Sequence, residues 1–359
     1  MTHDTFRRLP KIDLHRHLEG SLRLDTLWEF HQRQNQGVHA SREALEAAYT
    51  IAPGERPGFT PFLAKFTAIM FKFGGLNELE RVGREAMEDA ANDGIVHLEL
   101  RFSPAGFARR TLLNWNDPPR PQIDPSRVVD ATAALVSGAQ SEAAKRRISV
   151  AFIVTLGRHF GVEVNRPAAE LLKDSISKHL HGLDLAGDEA HPAADYAPHF
   201  HEWTAAGRGS TVHAGEDPRG SNGAKNIREA IEELKADRIG HGIRAIDDPT
   251  LVADLRSRGT VLEVCPTSNL QTHAAADYAS HPIKTILQEN VRVTINSDDP
   301  TVSRLTLSDE FYAAHHHCGL SREELITCLQ TAADAAYVSD ERKKELREQI
   351  ARAWDVASK

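Results

Sequence analysis

Ile12-Asp-Leu-His-Arg-His-Leu18 is the first of eight short apolar runs along the chain, and the number and spacing of these runs indicate the fold. The other runs cover residues 95–102, 148–156, 182–186, 209–213, 237–240, 260–264 and 291–296. Stretches with helical periodicity separate most of them. Strands that alternate with helices pair in parallel, and eight such units close into a (β/α)₈ barrel. We therefore expect residues 1–359 to form one barrel domain.

A doubly wound nucleotide-binding sheet is the alternative fold. It requires a glycine-rich phosphate loop after an early strand, and the chain offers only Glu19-Gly-Ser-Leu-Arg23 at that point. The barrel is therefore the preferred interpretation.

About 75 residues separate the first two runs, which is far more than one connecting helix needs. We expect a helical insertion over about 40–90. Apolar residues inside it recur at spacings of three and four, as on one helix face. They are Phe59, Phe62, Leu63, Phe66, Ile69, Met70 and Phe73. Such a face fits either core packing against the barrel or a lid that excludes water from a pocket.

Charge and composition exclude several classes of protein. The chain has a net charge of −8 and no basic block, which argues against nucleic acid as a partner. Its three cysteines are not spaced as CxxC, which is typical of reduced thiols in a cytoplasm. The N-terminus lacks the apolar core of a signal peptide, and no run approaches the roughly 18 apolar residues of a membrane span. We expect a soluble cytoplasmic protein.

Residue types within the runs point to a metal. His15 and His17 lie two positions apart on the first strand, so their imidazoles share one face and can share one ion. A catalytic zinc ion takes nitrogen and oxygen ligands and keeps one position for water, so this pair needs further ligands. His213 and Asp298 are the natural candidates.

A single histidine beside a strand is more often a structural residue than a ligand. Here, however, several runs deliver a polar residue at the C-terminal end, where barrel enzymes build their sites. His213, His241 and Asp298 all occupy such positions. The recurrence favours one metal-dependent hydrolase site.

Further side chains near these positions can do chemistry. Glu216 follows His213 beyond two small residues and can protonate a substrate without binding metal. His241 lies between two glycines, and its imidazole can orient a water molecule and take its proton. If the strand continued through Asp298 and Asp299, their side chains would point to opposite sides, so that one binds metal and the other faces substrate or solvent.

The order of these motifs resembles the adenosine deaminase family of the amidohydrolase superfamily. The matching motifs are HxH at 15–17, LAGDE at 185–189, HAGE at 213–216, RIGHG at 238–242, CPTSN at 265–269 and NSDDP at 296–300. The likeness runs from Leu9 to about Glu310. It implies a (β/α)₈ barrel with one zinc ion per chain and hydrolysis of a 6-aminopurine nucleoside, adenosine or 2′-deoxyadenosine, to the 6-oxopurine and ammonia.

The resemblance also implies residue roles. The zinc ligands would be His15, His17, His213 and Asp298. Glu216 would protonate purine N1, and His241 would steady the attacking hydroxide.

Substrate contacts would come from His17, Glu19, Gly187, Phe62, Phe66 and Asp299. Among these, Asp299 would bond N7 and the Gly187 backbone N–H would meet N3. Phe62 and Phe66 match the helix that covers the pocket in this family, which favours the lid interpretation.

One position departs from the familiar pattern. Well-studied adenosine deaminases resemble HLDG where this chain has His17-Leu-Glu-Gly20, so Glu19 stands near the expected ribose 5′-hydroxyl. Adenine deaminases and aminodeoxyfutalosine deaminases share this start, and both remain as alternatives. Arg219 and Lys225, in the loop at 217–225, fit either a solvated turn or the recognition of an anionic substituent.

Two other classes are also open. A binuclear amidohydrolase usually carries a bridging modified lysine on strand four, but residues 181–189 contain no lysine. A nucleoside-binding protein without turnover would not need every chemical position that the resemblance requires.

Overall fold

The computed structural model describes residues 1–34, 39–66, 75–112, 123–217 and 222–356. Eight parallel strands form one sheet in sequential order from β1 to β8. Their bounds are β1 Lys11–His17, β2 Ile95–Phe102, β3 Ser149–Gly157, β4 Gly182–Ala186, β5 Gly209–Ala214, β6 Arg238–His241, β7 Val261–Val264 and β8 Arg292–Ile295. The expected (β/α)₈ barrel is confirmed.

The barrel closes between its first strand and the residues that follow its last strand. Arg16 pairs in parallel with Asp298. The Asp298 N–H donates to the His15 carbonyl at 2.8 Å, and the Asp298 carbonyl accepts from the His17 N–H at 2.9 Å. Closure therefore occurs at residues expected to bind metal.

Helices surround the sheet and cover its ends. They are α1 His3–Arg8, α2 Leu24–Gln34, α3 Arg42–Tyr49, α4 Phe59–Lys65, α5 Leu76–Asn92, α6 Pro104–Leu112, α7 Pro125–Arg146, α8 Val162–Ala169, α9 Ala197–Ala205, α10 Gly223–Glu232, α11 Pro249–Arg258, α12 Pro266–Gln271, α13 Ile283–Gln288, α14 Pro300–Ser303, α15 Leu307–His316, α16 Arg322–Ala335 and α17 Asp340–Val356. Short 3₁₀ turns lie at Arg158–Phe160, Glu170–Lys173, Ser175–His179, Ala194–Tyr196 and Ile243–Asp247.

The insertion between β1 and β2 contains α2 to α5, so the helical segment expected at about 40–90 is present and begins earlier, at Leu24. Phe59 and Phe62 are buried, and Phe66 is partly buried. Ile69, Met70 and Phe73 lie outside the described residues. The lid role of this segment stays a prediction.

The barrel interior contains a buried layer of charge. Arg101 Nη2 lies 2.8 Å from Glu263 Oε2, and Arg238 Nε lies 2.7 Å from Glu263 Oε1. Arg238 also pairs with Glu99, and these four side chains are almost fully buried. Burial of ions is tolerated where pairing and hydrogen bonds are extensive. The layer fixes Glu263 directly beneath the C-terminal end of the barrel.

Within the described part of the chain, no helix is both long enough and apolar enough to cross a lipid bilayer.

Candidate metal and active site

Four side chains converge at the C-terminal ends of the strands. His15 and His17 come from β1, His213 from β5, and Asp298 follows β8. The Nε2 atoms of His17 and His213 are 3.0 Å apart, and Asp298 Oδ1 lies 3.3 Å from His15 Nε2 and 3.6 Å from His17 Nε2. All four potential ligand atoms lie within 4.8 Å of one another. The structure thus brings together the four residues expected to be ligands.

The hydrogen bonds around this group fit a bound cation. His15 Nδ1 lies 2.8 Å from Glu263 Oε2, and His213 Nδ1 lies 2.9 Å from Asp184 Oδ1. Each carboxylate accepts the Nδ1 hydrogen, so the Nε2 lone pairs point to the common centre. His15 Nε2 is buried without a hydrogen-bond partner. Imidazole nitrogens that present lone pairs beside a carboxylate suit a metal ion that takes imidazole and carboxylate ligands.

A second arrangement of possible ligands overlaps the first. It comprises His15, His241, Cys265 and Asp298. Burial raises the pKa of the Cys265 thiol well above its usual value, and Cys265 Sγ lies 3.6 Å from the Glu263 carbonyl oxygen. Metals bind the thiolate, which burial disfavours here. The arrangement with three histidines and Asp298 is therefore the better one.

Glu216 stands beside the metal group on a tightly held loop. Gly215 turns the chain after β5 with φ +76°. The Glu189 carboxylate accepts backbone N–H bonds from Gly215 at 2.8 Å, from Glu216 at 2.8 Å and from Asp217 at 3.0 Å. Burial, followed by the charge of Asp298, raises the pKa of Glu216 well above its usual value. Glu216 is consequently poised as a carboxylic acid.

His241 lies on the other side of the metal group. Its Nε2 is 3.4 Å from Glu216 Oε2 and 3.8 Å from Asp298 Oδ2. The crowding expected from its glycine neighbours is present, because a Cβ at Gly240 would lie 2.9 Å from His15 Cε1. Burial lowers the pKa of His241 well below its usual value.

Asp298 and Asp299 both face the cavity, although their order in sequence suggested opposite directions. The difference arises because β8 ends at Ile295 and Asp298 adopts φ +57°, so the alternation of a strand does not apply. Burial, followed by the charges of Asp298 and Glu19, raises the pKa of Asp299 well above its usual value. A Cβ at Gly20 would lie 1.8 Å from Asp299 Oδ1, so only glycine fits there.

A cavity of about 550 Å³ opens over these groups. Its described lining comprises His17, Glu19, Phe59, Phe62, Leu63, Phe66, Ser103, Gly106, Thr155, Gly157, His159, Phe160, Ala186, Gly187, Asp188, His191, His213, Glu216, His241, Asp298 and Asp299. Every expected substrate contact is among them. Glu19 Oε1 accepts the Ser103 N–H at 2.9 Å, and Gly187 has φ +99°. Lys225 is exposed and is not in this lining, while Arg219 lies outside the described residues.

Several residues that organise the site escaped the sequence analysis. Asp184 and Glu263 orient the histidines, and Glu189 holds the Glu216 loop. The sequence contained a signal for Asp184 and Glu263, since each is a charged residue inside an apolar run. Glu189 ends the LAGDE motif at 185–189, but nothing local in the sequence shows that its carboxylate accepts three backbone N–H bonds.

Comparisons with known proteins agree with this geometry. The Adenosine deaminase family profile matches residues 10–353. An adenosine deaminase from Serratia proteamaculans is 35% identical over 348 residues, which cover 96% of this chain and 98% of the relative. One from Shewanella loihica is 32% identical over 339 residues, covering 94% and 97%.

Solved structures share the fold. An amidohydrolase from Burkholderia ambifaria, crystallised with bound zinc, superimposes with a TM-score of 0.86 at 26% identity, covering 99% of this chain and 93% of its own. An adenine deaminase from Arthrobacter aurescens gives a TM-score of 0.78 at 23% identity, covering 96% and 98%.

Proposed function

The chain belongs to the adenosine deaminase family and is a hydrolytic aminohydrolase, and we propose that adenosine and 2′-deoxyadenosine are its substrates. The products would be the corresponding 6-oxopurine nucleosides and ammonia. One observation supports this proposal most: two carboxyl groups favoured in the protonated form, Glu216 and Asp299, line the same cavity as the metal group.

We assign one zinc ion to His15, His17, His213 and Asp298. Three neutral imidazoles and one carboxylate are a ligand set that zinc accepts, and the amidohydrolase from Burkholderia ambifaria contains zinc. When bound, zinc supplies Lewis acidity that lowers the pKa of water toward about 7.

Glu216 is the general acid in this proposal. Attack by water at C6 turns a flat aromatic carbon tetrahedral, so N1 becomes basic and requires a proton as the bond forms. A protonated Glu216 carboxyl can deliver that proton because its raised pKa keeps the acid form available at neutral pH. One proton of the water ends on the amino group, which departs as ammonia. The remaining hydroxyl proton returns to Glu216 as the C6 carbonyl forms, so the acid is restored and N1 keeps the hydrogen it received.

Asp299 selects the orientation of the purine. N7 carries a lone pair and no hydrogen, so a side chain can bond it only by donating. The raised pKa of Asp299 favours the form with that hydrogen. The Gly187 N–H is assigned to N3. The N3 edge of the purine would then be recognised after β4, and the N7 edge would be recognised by Asp299 after β8.

The aromatic wall covers the remaining ring surface. Phe59, Phe62, Leu63 and Phe66 line the cavity from the insertion, and we assign them to the face of the purine. Apolar side chains over the ring exclude water, which strengthens every electrostatic contact inside the pocket. Glu19, anchored to Ser103 at the end of β2, would face the sugar.

Adenine and aminodeoxyfutalosine remain the alternative substrates because Glu19 replaces the shorter aspartate of well-studied adenosine deaminases. The chemistry at C6 is the same for all of them, and only the occupant of the sugar region differs.

Steady-state ammonia release by metal-replete protein tests the proposal with adenosine, 2′-deoxyadenosine, adenine and aminodeoxyfutalosine. We expect the two nucleosides to give the highest kcat/KM, and Glu216→Gln to lower kcat by about 10²-fold to 10⁴-fold, the usual contribution of a general acid. Preference for adenine or aminodeoxyfutalosine would reassign the substrate. Absence of turnover with all four would overturn the assignment.

A further inference from the structure

A buried chain of hydrogen bonds runs from a backbone amide to His241. The Ile283 N–H donates to His281 Nδ1 at 3.2 Å. His281 Nε2 lies 3.1 Å from Asn269 Oδ1, and Asn269 Nδ2 lies 3.0 Å from His241 Nδ1. His241, Asn269 and His281 are all buried.

The first hydrogen bond, from the Ile283 N–H to His281 Nδ1, fixes which atom donates in each of the following bonds. A backbone N–H can only donate, so His281 Nδ1 accepts and carries no hydrogen. Burial lowers the pKa of His281 to about 4, so the ring is neutral at physiological pH and its one hydrogen is on Nε2. His281 therefore donates to the Asn269 amide oxygen.

The amide orientation of Asn269 is thereby fixed. With its oxygen directed at His281, its NH₂ group faces His241 Nδ1 and donates to it. The opposite amide orientation would place two donors, Asn269 Nδ2 and His281 Nε2–H, against each other. An Nδ1 atom that accepts this bond has no hydrogen, so the hydrogen of the His241 ring is on Nε2.

We propose that Asn269 and His281 are positioning residues that fix the hydrogen of His241 on Nε2, so that His241 donates a hydrogen bond in the active site and does not accept a proton from water there. The proposal rests on the proposed function, because it assigns the direction in which His241 acts on the reacting oxygen. It departs from the sequence-based expectation, in which the imidazole both orients the water and takes its proton, and it keeps only the orienting role.

The site geometry agrees with a donor at this position. His241 Nε2 lies near two carboxyl oxygens, Asp298 Oδ2 at 3.8 Å and Glu216 Oε2 at 3.4 Å, and the Asp298 carboxylate can only accept. A hydrogen on Nε2 points into the same region as the metal group and can stabilise negative charge that develops on the attacking oxygen.

Nitrogen NMR of the metal-replete protein labelled with ¹⁵N-histidine tests the tautomer directly. The His241 signals are identified by their absence from His241→Gln. We expect couplings and shifts of a neutral ring with hydrogen on Nε2 and a bare Nδ1. A ring with hydrogen on Nδ1, or on both nitrogens at neutral pH, would overturn the proposal whatever the activity of the protein.

Kinetics test the role of His281. His281→Leu removes the donor that fixes Asn269, and we expect kcat to fall about 10-fold with KM unchanged, in line with the loss of an orienting partner. His281→Gln places an amide N–H where Nε2 was, and we expect it to recover most of that loss. Equal kcat values for the Leu and Gln variants would contradict the positioning role.

His181→Leu is the matched control. His181 Nδ1 also accepts a backbone N–H, from Phe152 at 3.1 Å, but it lies on the segment that enters β4 and has no bond to the site. We expect this variant to lose a similar amount of thermal stability and to keep kcat. A wild-type protein with the expected tautomer but no nucleoside turnover would refute the proposed function and leave the hydrogen-bond assignment intact.

Discussion

At the scale of single residues, the backbone of the site is as unusual as its side chains. Asp298 and His241 have φ values of +57° and +60°, a region that residues other than glycine rarely adopt. Such conformations cost about 1–3 kcal/mol each and persist where the surroundings determine them. At Asp298 two backbone bonds to β1 do so. The main chain therefore directs the Asp298 carboxylate, which we assign to the metal, independently of any bound ion.

The carboxylate behind His213 gives a prediction about metal affinity. Asp184→Asn keeps an oxygen for His213 Nδ1 but removes the negative charge that makes the imidazole a stronger ligand. We expect metal affinity to fall about 10-fold to 100-fold, as is usual for such partners. Competition with a chelator at fixed free zinc measures the change.

Asp237→Asn is the control, since Asp237 accepts the Ser210 N–H at the opposite end of β5. An equal loss of affinity in both variants would show that the effect comes from general destabilisation.

The proposed metal ligands could be predicted from their residue types, whereas the carboxylates that hydrogen-bond to them could not. His15, His17, His213 and Asp298 stand at the ends of apolar runs, and only a few side chains bind zinc. Glu263 is 248 residues from His15, and nothing in the local sequence links them. The hydrogen bonds from Ile283 to His241 were not predicted for the same reason, because they join the end of β6, α12 and the start of α13, which are separate in sequence.

At the scale of elements, the strands were predictable to within a residue or two. The run at 291–296 became β8 at Arg292–Ile295, and the run at 182–186 became β4 with the same bounds. Short apolar runs mark strands buried on both faces. The start of the insertion was harder to predict. Its first helix, α2, begins at Leu24, soon after the HLEG segment and well before the apolar face at 59–73 that indicated a helix.

The helix α4 yields a prediction about substrate affinity. Phe66 is partly buried and lines the cavity, so Phe66→Ala removes apolar contact without opening the barrel core. We expect KM for adenosine to rise about 5-fold to 10-fold, consistent with 1–1.4 kcal/mol of lost burial at about 25 cal/mol per Å². Initial rates over a range of adenosine concentrations measure it.

Leu76→Ala controls for a lost apolar side chain in the same insertion, because Leu76 is exposed and lies outside the described cavity lining. An unchanged KM in Phe66→Ala would remove α4 from the substrate site.

At the scale of the whole molecule, a buried carboxyl group links stability to pH. Glu310 on α15 accepts the Thr267 N–H at the start of α12, and burial raises its pKa from an ordinary 4.5 to about 8. Between these pH values Glu310 is protonated to a greater extent in the folded protein than in the unfolded chain. The contribution of Glu310 is therefore fully present below about pH 4.5 and is lost as the pH rises through about 8.

Glu310→Gln should abolish this dependence. We expect the free energy of unfolding of the wild type, relative to the variant, to fall between pH 4.5 and 8 with a slope of up to about 1.4 kcal/mol per pH unit. Denaturant titrations at several pH values provide the measurement. Glu323→Gln, at an exposed position on α16, is the control, and its free energy of unfolding should change with pH as that of the wild type does. If the free energy of unfolding of Glu310→Gln also changed with pH as that of the wild type does, the link between Glu310 and stability would be refuted.

The closure of the barrel at Arg16 and Asp298 has a consequence for the protein during its synthesis. The proposed ligands from β1, His15 and His17, are synthesised more than 280 residues before Asp298. Asp298 is positioned by the same backbone bonds that join the first strand to the residues after the last strand. A nascent chain that ends before Asp298 contains His15 and His17, and later His213, but lacks the Asp298 carboxylate. With the ligand set proposed above, the complete metal site therefore requires translation past Asp298, beyond the end of β8.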